Sequence, residues 1–244
     1  MTDVTITIHN KTHHGALAPT IENFSLTLGA GEFVCLVGQS GCGKTTLLNS
    51  IAGLDANYTG DIRLSKATQS PKIGYVFQQP CLLPWRTVRE NIELVFTSPT
   101  DAQKAHIERL LDFMQLRAYV AAYPQQLSEG MRRRVSIIRA FAINPNLLLM
   151  DEPFVSLDAP MAREVRLLLE NLWQQRPHTV LFVTHDLREA IALADKLVFL
   201  TNRPMRVLRE VPVNIARHLR QDAQYIDHFH TTLIENYPEL HVLL

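Results

Sequence analysis

The stretch Gly38-Gln39-Ser40-Gly41-Cys42-Gly43-Lys44-Thr45-Thr46 has the residue types and spacing needed to hold a phosphate. In a G-x-x-x-x-G-K-[ST] pattern the glycines let backbone N–H groups turn inward around an anion. Lys44 can then reach the outer phosphates, and the Thr45 hydroxyl can serve Mg²⁺. A second stretch, Leu148-Leu149-Met150-Asp151-Glu152, reads as a buried strand that delivers two acids at its carboxyl end. Asp151 is suited to Mg²⁺, directly or through water, and Glu152 to polarising an attacking water as general base.

Each of these groups needs an element to hold it. The apolar run from Phe33 to Val37 reads as a buried strand, and Leu47 to Ala52 as a helix stopped at Gly53. The helix N-terminus would add partial positive charge to the loop between them. Alternation predicts strands at Val4–Ile8 and Phe24–Leu28, and further strands at Ile62–Leu64 and Lys72–Phe77. Thr87 and Glu90 fit a capping box that starts a helix running to about Phe96. A second helix is expected from Asp101 to about Leu116, with Ile107, Leu110, Leu111 and Met114 on one face. A third begins near Ser128.

Strands then resume at Asn146–Met150, Thr179–Val183 and Lys196–Leu200. A helix after Pro160 carries Val165, Leu168, Leu169, Leu172 and Trp173 in register, and another runs from Leu187 to Ala194. Strands alternating with helices predict an α/β chain with a mainly parallel sheet covered on both faces. Residues 1–80 and 138–211 are expected to form the core, 81–137 an inserted helical subdomain, and 212–244 a tail. Ile226, Phe229 and Leu233 suggest one amphipathic helix in that tail, stopped by Pro238.

Composition narrows the class. Lys plus Arg and Asp plus Glu both number 24, so no global field draws the chain to nucleic acid or anionic lipid. No apolar run approaches the roughly 20 residues that span a bilayer. Met1-Thr2-Asp3-Val4 lacks the basic and apolar regions of a signal peptide. Cys35, Cys42 and Cys81 form neither a disulfide framework nor a zinc pattern, so a reducing cytosol is the expected home. Cys42 is read as a passive small residue, with oxidation sensitivity as the alternative.

Further motifs carry a family resemblance. Leu127-Ser128-Glu129-Gly130-Met131, followed by Arg132-Arg133-Arg134, resembles the signature motif of ABC-type ATPases. Asp151-Glu152-Pro153, Ser156-Leu157-Asp158 and Thr184-His185-Asp186 resemble that family's Walker B, D-loop and switch histidine, in the same order. Gln78 resembles the Q-loop glutamine. The resemblance spans roughly residues 4 to 210 and implies a P-loop NTPase (RecA-like) core with an antiparallel β part and an inserted helical subdomain. It implies ATP and Mg²⁺ as ligands, with Thr45, Gln78 and Asp151 on the metal. Lys44, Gln78, Glu152 and His185 would be catalytic. The loop Gly38 to Thr46, together with Ser128, Gly130 and Asp158, would contact nucleotide. Ser128 would complete the site of an opposite subunit, so ATP would join a homodimer.

The segment Leu82-Leu83-Pro84-Trp85-Arg86-Thr87-Val88 resembles ATP-binding subunits of the nitrate, sulfonate and taurine importer group, at the place where such subunits dock a membrane subunit. The implied partners are two transmembrane permease subunits and an extracytoplasmic solute-binding protein. The implied location is peripheral, on the cytoplasmic face of the inner membrane. The alternatives are a soluble ABC ATPase of DNA repair or translation, and an exporter or lipid-transport ATPase. The stretch from Lys44 to Leu127 is too short for a repair-type coiled coil, and one ATPase domain is present where translation members carry two.

Two positions depart from the family pattern. Glu129 stands where the signature has glycine, and a carboxylate near a triphosphate repels it unless the side chain points to solvent. An aromatic normally stacks on adenine after the first strand; the aligned positions are His13 and His14, with His14 favoured, and an imidazole offers less stacking area. Arg132, Arg133 and Arg134 are expected to be solvated or dimer-facing, with no nucleic-acid role.

Overall fold

The computed structural model describes residues 3–13, 15–65 and 71–242. His14 lies outside them. In chain order the elements are β1 (Val4–Lys11), β2 (Ile21–Leu28), β3 (Phe33–Val37), α1 (Lys44–Ile51) and β4 (Thr59–Leu64). Next come β5 (Ile73–Val76), α2 (Val88–Glu93), α3 (Asp101–Phe113), α4 (Glu129–Ala142), β6 (Leu147–Asp151) and α5 (Ala159–Gln175). The last are β7 (Thr179–Thr184), α6 (Leu187–Leu193), β8 (Lys196–Leu200), β9 (Val207–Pro212) and α7 (Ala223–Asn236). These fall into two compact units. One is Met1–Thr68 with Thr179–Leu244, and the other is Gln69–His178.

The first unit holds an antiparallel sheet in the order β2-β1-β4, and strands in the order β7-β3-β8-β9. β1 alternates as predicted: Val4, Ile6 and Ile8 have no solvent exposure, while the residues between them face outward or partly so. β3 behaves differently, because all five of its side chains are buried. Such a strand must be flanked on both edges and covered on both faces. It lies parallel to β7 on one edge and to β8 on the other. In α7, Ile226 and Leu233 are buried and Phe229 is half-buried, the face expected of an amphipathic helix. The Arg188 Nε to Asp227 Oδ1 ion pair, at 2.8 Å, joins α6 to α7.

β9 escaped the sequence reading. It pairs antiparallel with β8, but only Val211 among its residues is buried. An edge strand held by its ladder rather than by a buried face has no apolar alternation to announce it.

In the second unit β5 runs parallel to β6, whose five residues are all buried. Gly74 is required in β5 because a Cβ there would lie 2.6 Å from the Ala140 carbonyl of α4. The Thr87–Glu90 capping box closes as predicted: Thr87 N–H donates to Glu90 Oε2 at 2.7 Å, and Glu90 N–H donates to Thr87 Oγ at 3.3 Å. α2 ends at Glu93 rather than Phe96, and α3 at Phe113. Ile107, Leu110, Leu111 and Met114 are buried together as expected. On α5, Leu168 is half-buried while Val165, Leu169, Leu172 and Trp173 enter the core. Among the described residues no helix is long and apolar enough to cross a membrane.

Pro177 precedes His178, a buried polar residue in this core. His178 Nδ1 lies 2.9 Å from the Pro145 carbonyl, which can only accept, so Nδ1 carries the proton. The ring meets Phe141 edge-on, at 5.5 Å between centroids. Burial lowers its pKa from 6.5 to about 4. The unfolded chain therefore binds this proton more tightly, and the neutral ring contributes stability that is full above about pH 6.5 and lost as pH falls toward 4. Chemical denaturation at pH 7.5 and 4.5 should show about 2–3 kcal/mol of acid destabilisation from this group. His178→Gln should remove that part of the pH dependence; an unchanged acid loss in the variant would exclude His178 as its source.

Candidate functional site

β3 delivers its chain directly into the glycine loop, and α1 begins at Lys44. Gly43 caps α1 with φ 121°, and a Cβ there would lie 2.9 Å from Thr20 Cγ2, so only glycine fits. Lys44 is 5% exposed, and its ammonium donates to the carbonyls of Gly38 at 2.6 Å and Gln39 at 2.9 Å. The loop thus folds around its own cation. Gly38, Cys42 and Gly43 are buried, whereas Gln39, Ser40, Gly41 and Thr45 face solvent, with Thr46 between. Cys42 has no exposure, and burial pushes its thiol pKa up, the opposite of what a reactive thiolate needs. His13 Nε2 lies 3.3 Å from Thr46 Oγ1, which sets the imidazole next to the loop.

Two residues that sequence reasoning missed brace this loop from the turn after β8. Asn202 Nδ2 donates to Gln39 Oε1 at 3.1 Å, and Arg203 Nε donates to the Gly41 carbonyl at 2.8 Å. Their only local signal was position, since ligand sites in parallel sheets gather beyond the carboxyl ends of strands.

The place of His185 follows from register. Val37 pairs with Thr184, so Gly38 and His185 leave their strands at the same edge. His185 is exposed and lines a cleft of about 340 Å³ with Asp186, Leu187, Arg188 and His230. Asp186 is structural: its Oδ1 accepts from the N–H groups of Arg188 at 2.8 Å and Glu189 at 3.2 Å, capping α6.

The second unit carries the other predicted residues. Asp151 ends β6 and is 4% exposed. Burial and then the Asp151 carboxylate push the Tyr75 phenol pKa upward. Glu152 (φ 41°) and Ser156 (φ 74°) both occupy the left-handed region. Each non-glycine residue there costs on the order of 1–2 kcal/mol, and such strain collects at functional turns. Asp158 and Ser128 are N-caps. Asp158 Oδ1 accepts from Met161 N–H at 2.9 Å at the head of α5, and Ser128 Oγ accepts from Met131 N–H at 3.2 Å at the head of α4. Gly130 is buried where a Cβ would lie 2.4 Å from Met161 Sδ.

Gln78 is exposed on the loop after β5. The expectation of solvated arginines fails at Arg133, which is 1% exposed. Its Nη1 donates to the Phe77 carbonyl at 2.7 Å and its Nη2 to the Gln78 carbonyl at 2.5 Å. Arg139 makes a similar fork on Pro80 and Cys81, at 2.8 and 2.9 Å. The reason is that an irregular loop leaves carbonyls without sheet or helix partners, and a guanidinium supplies two donors at once. Asn91, fully buried, was also missed. It accepts from Leu83 N–H at 2.8 Å, and its two Nδ2 hydrogens are shared among the carbonyls of Leu83, Arg86 and Thr87 at 3.1, 3.0 and 2.9 Å.

Glu129 is held by its neighbour, with Arg132 Nη2 at 2.9 Å from its Oε2 and both side chains about a third exposed (36% and 37%). The pair leaves little net negative charge to face an incoming phosphate. Glu129→Gly should therefore change the rate of ATP hydrolysis by less than about fivefold, the limit for an exposed pair worth up to ~1 kcal/mol. A gain of about tenfold or more in steady-state phosphate release would show that the carboxylate hinders the site.

Comparison with known proteins converges on one family. The model of the ABC transporter family matches residues 21–155. The aliphatic sulfonates import ATP-binding protein SsuB of Bacillus subtilis is 37% identical over 218 residues, covering 87% of this chain and 86% of SsuB. The taurine import ATP-binding protein TauB of Escherichia coli is 42% identical over 223 residues, covering 85% of this chain and 88% of TauB. Among solved structures, the ATP-binding cassette MJ0796, as a dimer in a post-hydrolysis state bound to ADP and Pi, matches with a TM-score of 0.72 and 28% identity over 88% of this chain and 100% of that one. With its glycine loop around Lys44 and its acids at the end of β6, this chain belongs to the ABC transporter family and is an ATP-hydrolysing cassette of it.

Proposed function

We propose that two copies of this chain form the ATPase pair of an importer for small organic sulfonates, taurine among them. The names of its relatives support the solute class, and the loop before α2 supports the membrane partner. Trp85 is 69% exposed on that loop, Leu82 and Leu83 are half-buried, and Asn91 pins the loop's carbonyls from below. An exposed tryptophan on a rigid loop is a surface made for a partner, because the aromatic anchor costs little entropy to order. Its partner in this reading is a cytoplasmic segment of the permease. The chain then sits peripherally at the cytoplasmic face of the inner membrane, with two permease subunits and an external solute-binding protein.

In the chemical step Lys44 exchanges its two loop carbonyls for the β- and γ-phosphate oxygens of ATP, and the N–H groups from Gly38 to Thr46 hold the same phosphates. Mg²⁺ suits the oxygen-only donors Thr45, Gln78 and Asp151, and when bound it neutralises charge on the phosphate oxygens. Glu152 orients the attacking water and takes its proton. His185 contacts the γ-phosphate. Ser128, Gly130 and Asp158 face the nucleotide held by the second copy, and His14 or His13 covers adenine.

Reconstitution tests the whole reading. The cassette, its permease and its solute-binding protein, in proteoliposomes, should couple ATP hydrolysis to uptake of taurine or short alkanesulfonates. Trp85→Ala should cut coupled uptake about tenfold or more, as expected for a hot-spot aromatic, while the isolated cassette keeps its ATPase rate. Uptake of nitrate but no sulfonate would overturn the solute class, and co-purification with ribosomes or DNA ends would overturn the importer.

A further inference from the structure

The two arginine forks of α4 grip the loop after β5 in a way that stability alone does not explain. Arg133 is 1% exposed, yet among the described residues it makes no ion pair, and its Nε is buried without a hydrogen-bond partner. A buried guanidinium with one donor unmatched is a poor choice for cohesion. What it does provide is geometry. Two coplanar donors on consecutive carbonyls, Phe77 and Gln78, fix the direction in which the Gln78 side chain leaves the backbone. The same helix is capped five residues earlier by Ser128, whose Oγ accepts from Met131 N–H. Gly74 lets β5, the strand feeding this loop, lie directly against the backbone of the helix that grips it: a Cβ there would fall 2.6 Å from the Ala140 carbonyl.

We propose that Arg133 is a positioning residue for ATP hydrolysis. Its fork aims the Gln78 carboxamide and joins the glutamine loop to the Ser128 end of α4 as one rigid piece. What Gln78 senses at one nucleotide is thereby passed, without slack, to the signature serine that meets the other. This rests on the assignment of Gln78 to Mg²⁺ and the γ-phosphate made above. Arg139 holds Pro80 and Cys81 in the same way and extends the rigid piece toward the Leu82–Arg86 loop.

The test uses the full chain. A lysine at this position keeps the charge but supplies one compact donor group in place of the planar fork. Arg133→Lys should keep the KM for ATP within about twofold, because Lys44 and its loop are untouched, and should lower kcat ~10–100-fold, the scale of a small misplacement of a reacting group. Arg133→Gln gives a second reading, and thermal unfolding of both variants verifies that they are folded. If Arg133 acts through Gln78, the Gln78→Ala, Arg133→Lys double variant should be no slower than Gln78→Ala alone. Wild-type kcat in Arg133→Lys, or losses in the double variant that multiply, would overturn the proposal. Wild-type kcat in Gln78→Ala would instead overturn the role of Gln78 on which it stands.

Discussion

The parallel register of β3 with β7 and β8 is the constraint on which the chemistry of the first unit depends. Every side chain of Phe33–Val37 is buried, so this strand has a single position and a single depth. Its carboxyl end is therefore fixed, and the glycine loop has to begin there. Val37 stands beside Thr184 on one side and Phe199 on the other. The residues that follow, His185 on one strand and the brace of Asn202 and Arg203 on the other, inherit that level. A slip of one residue in a buried parallel strand would move all of these groups at once and turn core side chains toward the wrong face. The loop then does the rest locally. Gly43 accepts a conformation closed to other residues, and two carbonyls of its own loop hold the Lys44 ammonium in place.

In the second unit the corresponding device is a helix rather than a strand. α4 starts at the signature serine and carries both arginines that hold the loop of Gln78 to Cys81. Irregular backbone is expensive to bury unless its carbonyls find donors. Here the donors come from one rigid rod, so satisfying the loop also fixes its geometry. Asn91 does the same for the next segment, where one carboxamide serves three carbonyls and one N–H. Left-handed backbone recurs in this unit at Cys81, Gln115 and Asn144, and twice at the end of β6, at the acid Glu152 itself and at Ser156.

Much of this was legible in the sequence wherever the signal was local. The all-apolar strand β3, the Thr87–Glu90 box and the Ile107–Met114 face each rest on residues close together in the chain and each formed as read, and the glycine loop stands between β3 and α1 as its flanking residues predict. What sequence alone could not supply were the long-range partners. Arg132-Arg133-Arg134 looks like a solvated run because the chain shows three charges but not the carbonyls that two of them meet, Arg133 at Phe77 and Gln78 and Arg134 at Met114. β9 looks like a loop because its ladder to β8, not an apolar face, holds it in place. Asn202 and Arg203 carry no motif, since their importance lies in contacts with Gln39 and Gly41 far away in the chain. Ser128 and Asp158 were singled out for nucleotide contact, and their observed N-cap bonds fix the heads of the helices that would present them.

In the proposed cycle Glu152 activates water in a site that closes only with a second copy. The most direct measurement is the mass of Glu152→Gln in solution, by light scattering with Mg-ATP and with Mg-ADP, beside its rate of phosphate release. A glutamine keeps the shape of the acid but cannot take a proton, so hydrolysis should fall at least ~100-fold, the low end for loss of a general base. ATP should then hold the variant as a dimer, while ADP leaves it monomeric. Hydrolysis at the wild-type rate, or a variant that binds ATP and stays monomeric, would contradict the account.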